Sequence, residues 1–405
     1  MGPDRAGGAF PIPPAWSGAR PAGPPAPRPS PRAGALPGFR LGRRLPAAGE
    51  PFRLRVPYSI GNVGPGFDRF GLCLAAPGDT VALRPSDRFR FELAGGSSVP
   101  ADPGTNAAAV AFRAVLGGAA AAPVRLTLTK GYRAGTGIGS SGASAAAGAL
   151  AAALHGGLDL DGEAARARIV AGAAAGERAA CGTGHLDNVL ASLFGGFLFL
   201  ESVTPLRALR WDPVLAAAIV VAVPEAPLAT ERSRAVLPGV VPHGDAVANL
   251  TRAVGLLAGL LRGDPEAVGA HLEDRLAEPY RAALVPGFGT ARAAALAAGA
   301  WGAAMAGGGP AIFAVTPERW ARRVARALLD GFAEGGARAE AFVTGIGTGP
   351  ELYEGDPEPA GGTVAPVGIR PAGPAPVRKN SVNPGGTRAG RVSRPSARHR
   401  AHKPI

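Results

Sequence analysis

The sequence predicts a fold of mixed strands and helices with room for two domains. Three observations carry this expectation. The chain has 405 residues and is 46% hydrophobic, enough for a sizeable core. Val124, Leu126 and Leu128 alternate with Arg125, Thr127 and Thr129, which is the period of a half-buried strand. Beyond the loop that follows, residues 145–154 form an alanine-rich run of high helix propensity.

Taken in order, residues 1–50 are rich in Pro, Gly, Ala and Arg and lack periodicity, so no core is expected there and the segment reads as disordered. Order begins with an alternating strand, Phe52–Val56, followed by a turn-rich loop over 57–68. Segments 70–75 and 79–84 read as further strands, and 106–116 as a helix. Asp161 is placed to cap a helix over 162–180 that carries Glu177 near its carboxyl end. Residues 181–188 read as a loop and 196–200 as a strand.

The second half changes texture, and a domain boundary near 205–215 is expected, dividing 51–210 from 211–352. Residues 215–223 read as a buried strand. Asp245 is expected to cap a helix over 246–262, with Val247, Leu250, Val254, Leu257 and Leu261 on its apolar face and Gly263 after it. Asp264-Pro265-Glu266 starts another helix, with proline at the first helical position. A short helix covers 290–298. Strand, glycine turn and strand follow at 303–305, 307–310 and 311–315. Thr316-Pro317-Glu318 opens a helix with Trp320, Val324 and Leu328 on its apolar side, and 342–346 is a last strand. Residues 353–405 are again Pro/Gly/Arg-rich and read as disordered.

The net charge of +13 is uneven: residues 1–50 carry +5 and residues 353–405 carry +6, leaving +2 for the middle. The basic character belongs to the tails, so no nucleic-acid binding is expected of the folded part. Cys73 and Cys181 are the only cysteines, too few for a disulfide framework or a CxxC metal site, so a reducing compartment, the cytoplasm, is expected. No apolar run reaches the ~18 residues that span a membrane. The amino terminus lacks the basic-then-apolar pattern of a signal peptide. It is Arg-rich and acid-poor like some organelle transit peptides, yet has few Ser and many Pro.

The stretch Gly135–Ser144, G-T-G-I-G-S-S-G-A-S, lies between the strand and the alanine-rich helix. That layout suits an anion: glycine admits a close backbone approach, and the first helical N–H groups and the helix dipole hold negative charge. Ser140, Ser141 and Ser144 add hydroxyls for phosphate oxygens or Mg2+. The stretch is neither a Walker A loop, since G-K-[ST] is missing, nor the dinucleotide fingerprint G-x-G-x-x-G. An ordinary loop in a chain with 61 glycines is the competing reading.

Three segments share one explanation: V-P-Y-S-I-G-N-V-G-P-G-F-D (56–68), G-T-G-I-G-S-S-G-A-S (135–144) and M-A-G-G-G-P-A-I-F-A (305–314). In this order and spacing they resemble the three motifs of the GHMP kinases, which transfer the ATP γ-phosphate to small metabolites. G-H-L-D-N-V-L-A-S-L-F-G-G (184–196), T-E-R-S-R-A-V-L-P (230–238) and A-E-P-Y-R-A-A-L-V-P-G-F (277–288) resemble the homoserine kinase subfamily, and the likeness covers about 52–350. The departures are Ile60-Gly61 where the family has Ser-Ala, Arg133 where it has proline, Ile138 for leucine, and Ala306-Gly307-Gly308 for Ser-Gly-Ser/Ala. The glycines that set the backbone are kept and hydroxyls are lost.

The resemblance implies an α+β, two-domain GHMP kinase fold with a ribosomal-protein-S5-like N-terminal domain, a ferredoxin-like C-terminal domain and the active site between them. It implies that Arg133, Ala134, Gly135, Thr136, Gly137, Ile138, Gly139, Ser140, Ser141, Gly142, Ala143 and Ser144 cradle ATP. Glu177, eight residues before His185, would bind Mg2+ with a serine hydroxyl, Ser141. L-Homoserine would place its ammonium on Asp68 and its carboxylate between Arg234 and Arg281. Its hydroxyl would be oriented by Asn62, with His185 and Asn188 near the amino-acid end. The general base stays open between Asp187 and the phosphate itself.

Taken singly, Glu177 reads as a solvated helical residue, Asp68 as a turn cap, His185 as a hydrogen-bonded loop residue and each Arg as surface. Lys130, the only lysine in 51–352, reads as a strand-end surface charge or a phosphate contact. The expected reaction is phosphorylation of homoserine in threonine synthesis. The alternatives are a GHMP kinase for another small hydroxylated metabolite, or a non-catalytic nucleotide-binding relative. A homodimer is also among the expectations, since the family is often dimeric.

Overall fold

The computed structural model describes residues 36–41, 45–95, 99–117 and 123–353, all of which fall in one compact unit. The first sheet begins with β1 (Phe52–Gly61), β2 (Phe70–Pro85) and β3 (Arg90–Ala94). Helix α1 (Ala107–Val115), β4 (Val124–Thr129), α2 (Ser140–His155), α3 (Glu163–Cys181) and α4 (Leu186–Phe194) follow, then β5 (Phe197–Val203) and β6 (Leu206–Trp211). The second sheet begins with β7 (Ala218–Pro224). Helices α5 (Thr230–Ala235), α6 (His243–Arg262), α7 (Pro265–Ala270), α8 (Glu278–Ala282) and α9 (Phe288–Ala297) come next. Strands β8 (Gly302–Met305) and β9 (Ile312–Thr316), α10 (Ala321–Glu334) and β10 (Ala339–Thr344) complete it, and β11 (Glu351–Tyr353) returns to the first sheet.

In the first sheet the order is β11-β1-β2-β4-β3, with β5 and β6 extending from β2. All its pairings are antiparallel except β3 with β4. The second sheet runs β10-β7-β9-β8, all antiparallel. With helices between β7 and β8 and α10 between β9 and β10, this is the split β-α-β layout of a ferredoxin-like unit. We propose the domain boundary in the connection from Trp211 to Ala218, where the chain passes from one sheet to the other.

Helix α2 is the centre of the first half. Fourteen of its sixteen residues are buried. Alanine and glycine allow that, because they leave room for α1 and α3 to come close. A Cβ on Gly148 would lie 2.0 Å from the Ala108 carbonyl oxygen, and one on Gly176 would lie 2.3 Å from that of Ala107. In the second sheet both faces are covered. Along β7, Ile219, Val221 and Val223 belong to the main core, while Ala218, Val220 and Ala222 pack on the side of α9 and α10.

Several local expectations differ from the structure. Pro57–Gly61 belongs to strand β1, and 70–84 lies within one strand rather than two. Helix α3 is preceded by Gly162 with no side-chain cap, so Asp161 does not cap it. Helix α6 starts at His243 after Pro242, and Asp245 sits in its first turn instead of capping it. Helix α4 begins at Leu186, inside the segment read as a loop. Strands β3 and β11 and helices α5 and α8 are too short to carry a clear period, and β6, L-R-A-L-R-W, does not alternate. Within residues 1–50, Leu36 and Leu41 join the core and the Phe39 ring lies 4.9 Å from that of Phe194, against the expectation that nothing packs there. The disorder expected for the tails otherwise falls outside the described residues.

The largest difference concerns α6. Leu250 is 65% exposed and Val254 59%, whereas Leu256 is fully buried and Leu260 nearly so. The helix carries two apolar stripes, and a period alone cannot choose between them. A polar residue decides: buried Asn249 donates Nδ2–H to the Pro65 carbonyl at 2.9 Å, and its Oδ1 accepts the Arg275 N–H at 3.0 Å. This fastens α6 to the loop between β1 and β2. Leu256→Ala should cost roughly 2–5 kcal/mol by cavity formation. Leu250→Ala should stay within about 0.5 kcal/mol, as at an exposed site. Denaturant unfolding of the two variants side by side checks the assignment.

Candidate active site

Three backbone hydrogen bonds bring the three motif segments together. Ser59 N–H donates to the Ile138 carbonyl at 3.3 Å, Gly307 N–H to that of Gly61 at 3.1 Å, and Ala311 N–H to that of Thr136 at 3.3 Å. Each segment is thereby bonded to the other two. Gly137 sits at the crossing with φ +80°, and a Cβ there would lie 2.5 Å from the Gly309 oxygen and 2.6 Å from that of Ala306. Only glycine fits that combination of backbone angle and contact.

A cavity of about 390 Å³ opens over this crossing. Its wall includes Asn62, Ala134, Gly135, Thr136, Gly137, Gly139, Ser140, Ser141, Ser144, Glu177, His185, Asn188, Arg234 and Arg281. Ile138 and Ala143 are fully buried behind the loop, and Gly142 packs on Asn188, where a Cβ would lie 3.2 Å from that of the asparagine. Arg133 is the clear departure. Its guanidinium donates to the Val223 and Pro224 carbonyls at 3.2 and 2.6 Å, so it ties the loop to β7 rather than facing the cavity. The amino end of α2 begins at Gly139 in the left-handed region with no side-chain cap, which leaves its first N–H groups for a ligand.

Lys130 is not a surface charge: it borders the cavity, with its ammonium bonded to protein groups. Its side chain is 7% exposed and its ammonium meets Asp79 Oδ2 at 2.5 Å, Ser144 Oγ at 2.8 Å and the Ser140 carbonyl at 3.0 Å. Asp79, fully buried, also accepts from Tyr58 Oη, Ser144 Oγ and the Gly131 N–H. Burial, then the Asp79 charge, raises the Tyr58 pKa well above its ordinary value. Ser144 is thus spent on the scaffold. Among the described residues the buried Ser140 hydroxyl has no partner. The Ser141 hydroxyl reaches Glu177 Oε1 at 3.0 Å. Sequence reasoning missed Asp79 because its partners lie 21 to 65 residues away.

Glu177 is 2% exposed, which corrects the reading of a solvated helical residue. Its Oε1 meets His185 Nδ1 at 3.1 Å, and its buried Oε2 has no partner among the described residues. For His185, burial alone lowers the pKa. Hydrogen bonds to Cys181 and Glu177 and the charges of Glu177 and Asp187 outweigh it and push the imidazole up to about 10. Asp187 is buried and off the cavity wall, and its Oδ2 accepts the Asn62 N–H at 3.0 Å. Burial and the neighbouring Asp68 charge raise its pKa. Asn62, with φ 50°, accepts the Asp68 N–H at 2.7 Å through Oδ1. The Asn188 carbonyl and Oδ1 both accept from Ser59 Oγ, at 3.0 and 3.2 Å. Gly61, where the resemblance expects alanine, makes room here: a Cβ would lie 2.4 Å from Asn188 Nδ2 and 2.5 Å from Asp187 Oδ2.

Asp68 lies just off the wall and is paired with Arg234 in a two-pronged contact of 2.6 and 3.1 Å. Arg281 is 2% exposed, with Nε on the Ser233 carbonyl at 3.1 Å and a second nitrogen on that of Gly307 at 3.3 Å. The Phe67 ring carries both guanidiniums, 5.6 Å from Arg234 and 5.2 Å from Arg281. Phe67 lies within the first motif, and its place between two arginines is a signal only the fold reveals.

Residues 105–196 match the GHMP kinases N terminal domain model and residues 256–334 the GHMP kinases C terminal model. A homoserine kinase of Pyrococcus abyssi is 42% identical over 307 residues, covering 74% of this chain and 99% of its own. The chain belongs to the homoserine kinases of the GHMP kinase family. Another of that family, from Thermococcus kodakarensis, is 44% identical across 73% of this chain and 98% of its own. A crystal structure of homoserine kinase from Cytophaga hutchinsonii superposes with a TM-score of 0.69 at 30% identity, covering 77% of this GHMP kinase and all of that chain.

Replacing Lys130 by methionine leaves the Asp79 carboxylate buried and unpaired, so Lys130→Met should destabilise the protein by roughly 3–5 kcal/mol. A drop in unfolding midpoint of a surface-mutant size instead would show the pair to be expendable.

Proposed function

We infer that the chain transfers the γ-phosphate of ATP to the hydroxyl of L-homoserine, giving O-phospho-L-homoserine and ADP for threonine synthesis. One observation carries the reading: a single cavity joins the uncapped amino end of α2 to a guanidinium pair backed by a carboxylate. The relatives' activity supplies the name of the substrate.

Phosphoryl transfer depends on positioning and charge neutralisation. In our reading the Gly135–Gly139 backbone and the first N–H groups of α2 hold the ATP phosphates. Mg2+ fits the donors available, because buried Glu177 has an unpartnered Oε2 and Ser141 offers a hydroxyl beside it. When bound, the ion would neutralise phosphate charge.

At the other end, the Asp68–Arg234 pair is a neutral clasp. A zwitterion replaces one ion pair with two, its ammonium on Asp68 and its carboxylate on Arg234 and Arg281. Arginine suits the planar carboxylate. Burial and the neighbouring Arg234 charge lower the Arg281 pKa, so an incoming carboxylate relieves two crowded cations. Asn62 orients the hydroxyl.

Asp187 acts as a positioning residue, since its carboxylate holds the Asn62 backbone and does not reach the cavity wall. The hydroxyl proton then passes to the phosphate. We place the enzyme in the cytoplasm, where Cys73 and Cys181 stay free.

Homoserine-dependent ADP release by purified protein, measured against mevalonate and other small alcohols, tests the assignment; no preference for homoserine rejects it. Arg234→Ala should raise the homoserine KM far more than it lowers kcat. Asp187→Asn keeps an oxygen acceptor for Asn62 and should retain kcat within about tenfold. A loss of ~10²–10⁴-fold would instead mark a general base.

A further inference from the structure

Helix α3 places Glu177 and Cys181 four residues apart, on one face. Gly182 then turns the chain through the left-handed region, with φ 73°, and His185 comes back as the residue before α4. One donor atom from each of Glu177, Cys181 and His185 lies within 4.8 Å of the other two. Cys181 Sγ donates to Ser141 Oγ at 3.3 Å, and the same hydroxyl bonds Glu177. The buried Glu177 Oε2 has no partner among the described residues. The three side chains all border the cavity.

This donor set does not match a hard cation alone. Mg2+ takes oxygen ligands and has little use for sulfur or imidazole. A carboxylate, an imidazole and a thiolate with one position left for water form a set that suits a borderline divalent ion. We propose that the chain binds a borderline transition-metal ion of the Zn2+ or Co2+ type through Cys181 Sγ, His185 and Glu177. Binding forms the sulfur–metal and imidazole–metal bonds and releases two protons to solvent, that of the Cys181 thiol and that of the His185 imidazolium. Because Glu177 is shared, that ion and Mg2+ exclude one another, and the zinc-loaded protein is held inactive. Only this last consequence rests on the kinase reading; binding needs no nucleotide and no turnover.

The test is titration of the full-length, tag-free chain with Co2+ and no nucleotide, followed by Zn2+ displacement. Expected are a near-ultraviolet thiolate-to-cobalt charge-transfer band and visible bands of a four-coordinate ion, both erased by Zn2+. Cys181→Ser should abolish the charge-transfer band and weaken Zn2+ binding by more than ~10-fold, while Cys73→Ser keeps both. In the unmodified sequence, Zn2+ should also slow alkylation of Cys181, a readout independent of any variant's folding. With Mg2+ in excess, added Zn2+ should inhibit the parent enzyme and not Cys181→Ser. A spectrum of the hydrated ion alone, an unchanged band in Cys181→Ser, or alkylation indifferent to Zn2+ overturns the proposal. Absence of turnover with Mg2+ in protein freed of Zn2+ and Co2+, while the cobalt band still forms on titration, overturns the kinase reading and leaves the metal site standing.

Discussion

The site depends on bare backbone meeting bare backbone. Gly137 and the Ala306–Gly309 turn approach so closely that neither can carry a side chain toward the other: a Cβ on Gly307 would stand 2.6 Å from the Gly137 oxygen. The hydrogen bonds linking the segments of Ser59–Gly61, Thr136–Ile138 and Gly307–Ala311 run through peptide groups alone. Losing hydroxyls at 306 and 308 therefore leaves the framework intact. The turn between β8 and β9 joins two strands of the second sheet, so the Gly135–Gly139 loop takes its shape from both halves of the fold.

Charge is arranged in two tiers. Deep in the wall, Lys130 and Asp79 are buried and bonded and hold the strand end against α2. Nearer the opening, Asp68 and Arg234 are about one-third exposed and paired only with each other and their neighbours. A pair of the first kind is structural because separating it strands a charge. A pair of the second kind can exchange partners with a ligand at little cost, since water still screens it. The same residue types thus serve opposite ends, and burial decides which.

What the sequence made legible follows the range of the interaction. Asp264 caps α7 with Pro265 behind it, chemistry complete within three residues. Strand β4, the glycine loop and α2 were legible for the same reason. The exposed stripe on α6 was not, because Asn249 selects the buried side through Pro65, 184 positions away. The burial of Lys130 was not legible, because Asp79 lies 51 residues off. For the site, matching motifs named most of the wall, yet they could not say that Arg133 turns to β7 or that Cys181 joins Glu177 and His185.

The ammonium of Lys130 bears on which cation the wall can hold. Forty arginines against three lysines point to a strong compositional pull towards guanidinium. At position 130 three donors fan out to a carboxylate, a hydroxyl and a carbonyl. A flat, five-donor fork would leave hydrogens unmatched inside a packed wall. Arginine in place of Lys130 would therefore disturb the packed wall, and reagents that seek primary amines find no open target in the described body.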